Sequence, residues 1–180
     1  MTADARLALL ASYNQWMNRR LYDAAATLPH DALAADRGAF FGSILGTLNH
    51  LVVTDTIWLK RFAAAPEAAP VLTALDDTPM PSTLDAMPDP QLPPLRERRE
   101  WLDALILQWV EVLTPAGLSM PLTYANTKGA TFTRNTQALL THLFNHQTHH
   151  RGQVTTLLSQ AGVDVGVTDL LMLVPDERGG

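Results

Sequence analysis

Four stretches of this chain repeat their apolar residues at helical spacing, and three of them close on a residue that stops a helix. In the first, Leu7, Leu10, Asn14, Met17, Leu21, Ala24 and Leu28 follow one another three or four residues apart. Pro29 ends the run, since its ring leaves no N–H to donate. This predicts a helix from about Ala3 to Leu28. Ser43 suits the N-cap of a second helix running to about Phe62, with Leu48, Leu51, Val52, Asp55, Trp58 and Phe62 along one side. Its β-branched residues (Val52, Val53, Thr54, Thr56, Ile57) would fit a strand, but a run of about 20 residues favours a helix. A third helix is expected from about Leu95, after Pro93-Pro94, to Leu113, with Pro115 as its stop. The fourth runs from about Asn135 to Gln160 or Ala161, capped by Thr133 or Asn135 and stopped by Gly162. The economical architecture is an all-α four-helix bundle, with the order of its connections open.

The connections are unequal. Pro66–Pro94 holds eight of the twelve prolines and shows no period. It reads as a long irregular connection with one short helix around Ser82–Ala86, and a loop of that length often acts as a lid. Leu122-Thr123-Tyr124 and Thr131-Phe132-Thr133 flank Asn126-Thr127-Lys128-Gly129, which predicts a small β-hairpin before the fourth helix. Val163 to Val174 is apolar enough to pack against the body, and residues 175–180 read as a flexible tail. No internal repeat is visible, and residues 1–180 are taken as one domain.

Composition narrows the chemistry. Thirteen basic against eighteen acidic residues give a net charge of −5, and no long basic segment exists to hold nucleic acid. No apolar window is long enough to span a membrane and no targeting segment is visible, so a soluble cytoplasmic protein is expected. The absence of cysteine excludes disulfides, thiolate metal ligands, iron–sulfur clusters and a cysteine nucleophile. Chemistry here must use nitrogen, oxygen or a borrowed group. Four of the six histidines fall between His142 and His150.

On a helical projection with His146 at zero, His150 lies at about 40°, His142 at about −40° and Gln153 at about −20°. All follow the stripe that faces the core. His146 and His150 are about 6 Å apart along the axis, a spacing that lets two imidazoles share one metal ion. His50, on the apolar second helix, is a candidate third ligand. Three imidazoles with one open position would suit zinc, nickel or iron. The competing reading is a set of hydrogen-bonded core histidines. His146-Gln147-Thr148-His149-His150 is not a zinc-protease motif, because Gln147 cannot serve as a general base. Neither the second nor the fourth helix contains a glutamate, which excludes a carboxylate-bridged di-iron site.

The neighbours have assignable roles. His142 could add a fourth ligand but is read as packing or hydrogen-bonding below the site. His149, at about −60°, sits at the stripe's edge, beside the ligands or at an interface. Gln153 is placed to bond a ligand histidine or line the pocket, and Asp55 to do likewise or pair with a base. Arg151 points about 140° away and is expected in a helix-packing salt bridge. Trp16 and Trp58 could wall the site; Trp101 and Trp109 read as core or interface. His30 and the run Arg96-Glu97-Arg98-Arg99-Glu100 read as solvated, with a contact to an anionic substrate as the run's alternative use.

His146-Gln147-Thr148-His149-His150-Arg151-Gly152-Gln153 resembles the signature of the DinB/YfiT-like family of damage-inducible bundle proteins. Leu48-Asn49-His50-Leu51 with Asp55 and Trp58-Leu59, Asn14-Gln15-Trp16 with Asn18-Arg19-Arg20-Leu21, and Thr168-Asp169-Leu170-Leu171 are similar to its other conserved segments. The resemblance implies a four-helix bundle, commonly homodimeric, with a nickel, zinc or iron ion held by His50, His146 and His150. It further implies a small-molecule substrate. Some such proteins are transferases or isomerases that activate a low-molecular-weight thiol, so thiol transfer is the expected function. A non-catalytic, dimeric metal-binding or structural bundle and a metal-dependent hydrolase are the alternatives.

Overall fold

A computed structural model describes residues 3–65 and 68–176 of the chain. Pro66 and Glu67, at the start of the expected long connection, and residues 177–180 of the expected flexible tail lie outside the described residues. Four long helices form the body: α1 (Ala3–Ala25), α3 (Ile44–Phe62), α5 (Leu92–Val112) and α7 (Thr136–Gln160). Between them lie the short helices α2 (His30–Ala34), α4 (Ala69–Leu72) and α6 (Pro115–Ser119), with 3-10 turns at Thr73–Leu75 and Leu170–Leu173. α1 packs on α5 and α7, and α3 packs on the same two helices. Going round the bundle the order is therefore α1, α5, α3, α7, and α1 and α3 face each other across a diagonal. The mostly-α fold with a small hairpin is as the periodicity predicted.

The hairpin pairs β1 (Pro121–Ala125) with β2 (Thr131–Asn135), placing Tyr124 opposite Phe132. Gly129 takes the positive φ of +82° that the turn between them requires. Asn135 then caps α7 by accepting from the Ala138 N–H at 3.0 Å, so Asn135 and not Thr133 is the cap. Gly162, with φ +83°, ends that helix as expected.

Proline placement corrects three boundaries. Pro93-Pro94 lie inside the first turn of α5, where a missing N–H costs nothing, so the helix starts at Leu92 and not Leu95. Pro115 opens α6 rather than merely closing α5. α1 ends at Ala25, short of Leu28. In the long connection, Ser82–Ala86 forms a turn and the short helix sits earlier, at Ala69–Leu72. The C-terminal segment packs only in part: Val165 is buried, but Val167, Leu171 and Met172 are exposed.

A polar layer crosses the otherwise apolar core. Arg99 of α5 is 1% exposed and donates to Asp55 of α3 at 2.7 Å, while also pairing with Asp103 at 3.0 Å. Asp103 accepts from Asn14 at 3.0 Å and Asn18 at 2.9 Å, both on α1. Arg151 of α7 donates to the Asn14 carboxamide oxygen and lies over the Tyr13 ring. Two guanidinium groups and two carboxylates thus balance inside the bundle. Burial works against the Arg99 charge, but Asp103 and Asp55 outweigh it and raise its pKa. The Arg96–Glu100 run is therefore not simply solvated, and Arg151 is tied by hydrogen bonds where a salt bridge was expected.

A tight approach at the start of α3 completes the frame. Ser43 Oγ accepts from the Gly46 N–H at 2.9 Å, and a Cβ on Gly46 would meet the Phe41 carbonyl oxygen at 2.1 Å. Arg99→Met would leave two buried carboxylates, Asp55 and Asp103, with only the Arg151 charge nearby, and it should cost about 3–5 kcal/mol in urea unfolding. Gly46→Ala should cost about 1–3 kcal/mol by the same measurement, because backbone and not a flexible side chain has to give way.

Candidate metal centre

α3 and α7 are adjacent, which brings together histidines 96 residues apart in sequence. One ring nitrogen from each of His50, His146 and His150 lies within 4.8 Å of the others, an arrangement that can hold a metal ion. His50 Nε2 and His146 Nε2 are 3.3 Å apart. That matches the edge of a tetrahedron with metal–nitrogen bonds of about 2.0–2.1 Å, which is about 3.3 Å.

The opposite ring nitrogens set the tautomers. His50 Nδ1–H donates to the Leu84 carbonyl at 2.8 Å, and His150 Nδ1–H donates to Gln153 Oε1 at 2.7 Å. In both rings the Nε2 lone pair is left free, as a metal ligand requires. Gln153 Nε2 in turn faces His149 Nε2 at 3.4 Å. His146 Nδ1 is buried with no hydrogen-bond partner among the described residues. Whichever nitrogen of His146 carries its proton, the protein alone leaves one of the pair unsatisfied.

Burial keeps these rings neutral. It lowers the His50 pKa to about 4, against the Leu84 carbonyl, which raises it. Burial also lowers His146 to about 3, helped by His150 and His50. His150 is shifted the same way by burial, partly offset by Gln153. His142 is lowered by burial and by Arg134 and Arg61. All three converging imidazoles are thus in the protonation state that binds a cation.

The surrounding residues follow the sequence expectation except at Trp16, and Asp55 takes the second of its two expected roles, pairing with a base. His142 lies outside the three-histidine group and packs edge-on against Trp58 at 5.1 Å between ring centres. Trp58 lines the cavity over the histidines; Trp16 sits with Tyr13 and Arg20 on α1 and does not line that cavity. His149 is exposed and meets His150 edge-on at 4.8 Å. Asp55 is taken up by Arg99, so the acceptor on His50 is a loop carbonyl rather than a carboxylate.

Two contributors have no motif to announce them. Phe41 stacks on His50 at 3.7 Å between ring centres and meets His150 edge-on at 5.6 Å. Leu84 brings its carbonyl from the long connection, which is pinned to α3 by Asn49. That carboxamide donates to Asp89 O at 3.0 Å and accepts from Asp89 N at 3.2 Å. A polar Asn49 beside His50 in an apolar helix was the signal available for this strap.

The structure defines a class: a helical bundle in which three histidines from two adjacent helices converge in an arrangement that could hold a metal ion. The DinB family profile matches residues 1–177, and the chain belongs to the DinB family. Among curated proteins it is similar to Protein DinB of Bacillus subtilis (strain 168), with 29% identity over 162 residues, 89% of this chain and 88% of that protein. No solved structure gives a significant match. A divalent ion, which the family reading implies, fits the residues present: an all-nitrogen donor set, converging lone pairs and an otherwise unsatisfied His146.

The metal-free protein should lose stability as pH falls from about 6.5 toward the folded values, about 4 for His50 and about 3 for His146. Unfolded histidines, near pKa 6.5, take up protons there that the folded rings, lowered by burial, refuse. The contribution is present above that window and is lost as pH falls through the folded values. Thermal melting at stepped pH in the presence of a chelator would read the slope, and His146→Asn should flatten it.

Proposed function

We propose that the protein is a divalent-metal-dependent transferase acting on a low-molecular-weight thiol, with His50, His146 and His150 as the metal ligands. The observation that carries this reading is the set of three ring nitrogens within 4.8 Å, opening on a cavity of about 220 Å³ rather than closed by a fourth protein ligand. When bound there, a divalent cation would make a small thiol acidic enough to lose its proton near neutral pH, which a chain without cysteine cannot otherwise supply.

The chain's own residues do the rest. Leu84 and Gln153 hold two imidazoles in register, Phe41 covers His50, and Trp58 gives the cavity an apolar wall. His142 stays outside the ligand set and packs on Trp58. Nickel, zinc and iron all suit an imidazole set. We further place the protein in the cytoplasm as a single-domain homodimer; the exposed Val167, Leu171 and Met172 support the dimer.

Protein purified without a histidine tag should carry about one divalent ion per chain, a stoichiometry argued from the one three-histidine group among the described residues. His146→Ala and His150→Ala should each lose it by elemental analysis. The loaded protein should conjugate at least one of several low-molecular-weight thiols to a chromogenic electrophile, and the variants should not. Metal without conjugation would favour a non-catalytic metal-binding bundle, and ester hydrolysis without thiol would favour a hydrolase.

A further inference from the structure

The cavity over the histidines does not end there. Ile57, Arg61, Asn126 and Thr127 line both it and a second cavity of about 520 Å³ beneath the hairpin. Neither lining contains an aspartate or glutamate among the described residues, although acidic side chains outnumber basic ones 18 to 13 in the chain. Two cations do face this space, and they are not equivalent. Lys60 Nζ is engaged by the carbonyls of Leu75 at 2.6 Å and Thr78 at 2.7 Å. The Arg61 guanidinium lies over Trp58 at 4.6 Å and over Tyr124 at 4.9 Å, with no hydrogen bond and no carboxylate partner among the described residues.

That contrast extends to the arginines of α5. Arg96 pairs with Asp23 and Glu100, Arg98 with Asp89, and Arg99 with Asp55 and Asp103. The run that sequence offered as an anion contact is therefore already neutralised. At Arg61 the two aromatic rings, themselves edge-to-face, approach the guanidinium carbon from neighbouring directions, and no hydrogen bond among the described residues takes up its N–H groups. Those are the groups that take a carboxylate by paired hydrogen bonds. Partial burial disfavours the unpaired charge, so an arriving anion is welcomed twice, by attraction and by relief of that cost.

Position decides what Arg61 can touch. His50 and Arg61 are eleven residues apart on α3, about 20° apart around the helix and about 16 Å along it. The Arg61 side chain folds back over Trp58, one turn nearer the histidines. It shares their cavity without reaching their ring nitrogens. We propose that Arg61 recognises a carboxylate on the substrate or cosubstrate, several bonds from the atom that reacts at the three histidines. One free guanidinium, with Lys60 engaged elsewhere, matches a single negative charge. This rests on the thiol-transferase reading above, and it makes Arg61 a specificity and positioning residue.

The test compares 6-mercaptohexanoate with 6-mercaptohexanol on nickel-loaded wild type, Arg61→Gln and Arg61→Lys, by calorimetric titration. The thiolate–nickel absorption band is followed separately, and melting temperatures verify that each variant is folded. Wild type should bind the acid about tenfold or more tighter than the alcohol, the worth of one charged hydrogen-bonded contact. Arg61→Gln should bring the ratio near one while leaving the alcohol unchanged, and Arg61→Lys should keep part of the preference. Raising the salt concentration should shrink the ratio. Equal affinities in wild type, no binding of either probe, or an undiminished ratio in Arg61→Gln would overturn the assignment. Acid preference without the absorption band would overturn the thiol reading and retain Arg61; the band without acid preference would do the reverse.

Discussion

The buried ionic layer is the interaction on which the rest of the molecule depends. Arg99, Asp55 and Asp103 join α5 to α3; Asn14 and Asn18 bring in α1; Arg151 brings in α7. A buried pair of this kind adds little net stability compared with apolar side chains of the same volume, but it penalises every arrangement that separates its members. An apolar core tolerates a helix sliding by part of a turn. This layer does not, because a shifted helix would strand a charge. Asp55 stands five residues after His50, and Arg151 directly follows His150, so the same clamp that orders the bundle sets the register of the two ligand-bearing helices.

Around that frame, the histidine cluster is built from both regular and irregular backbone. α3 and α7 supply the rings, while the turn before α3 supplies Phe41 and the proline-rich connection supplies Leu84. Gly46 is the hinge between the two kinds of structure, since any side chain there would push away the backbone that carries Phe41. Neutral imidazoles follow from the same enclosure: removing water from around them disfavours the protonated form more than the loop carbonyl restores it at His50.

Much of this was legible in the residues. Ser43, Asn135 and Gly162 marked helix ends, and the Asn126–Gly129 turn marked the hairpin, because caps and tight turns make specific demands on local chemistry. His50, His146 and His150 were legible because spacing on a helix translates directly into direction, and the family resemblance pointed to the same residues. Other features depended on partners far along the chain. Asp55 looked available to His50 until Arg99 claimed it, and Arg99 itself looked solvated within a charged run. Pro93 and Pro94 were read as lying before α5 and Pro115 as its stop, but a proline at the first turn of a helix is as comfortable as one past its end. The carbonyl of Leu84 carries no side-chain signature of its own; only Asn49, which pins the strap through Asp89, hinted that the connection returns to α3. Trp16 was displaced from the site by the diagonal relation of α1 and α3, which helical period does not encode.

The polar layer also bears on the order in which the chain can become a protein. Asn14 waits for Arg151, 137 positions later, and Tyr13 donates to the Thr168 carbonyl at a separation of 155. During synthesis α1 therefore waits with its polar face unanswered until α5 brings Asp103 and α7 brings Arg151. These pairings are non-local, and they argue against a stable N-terminal half folding ahead of the rest. The polar layer closes only once the helix carrying the histidine motif has been delivered.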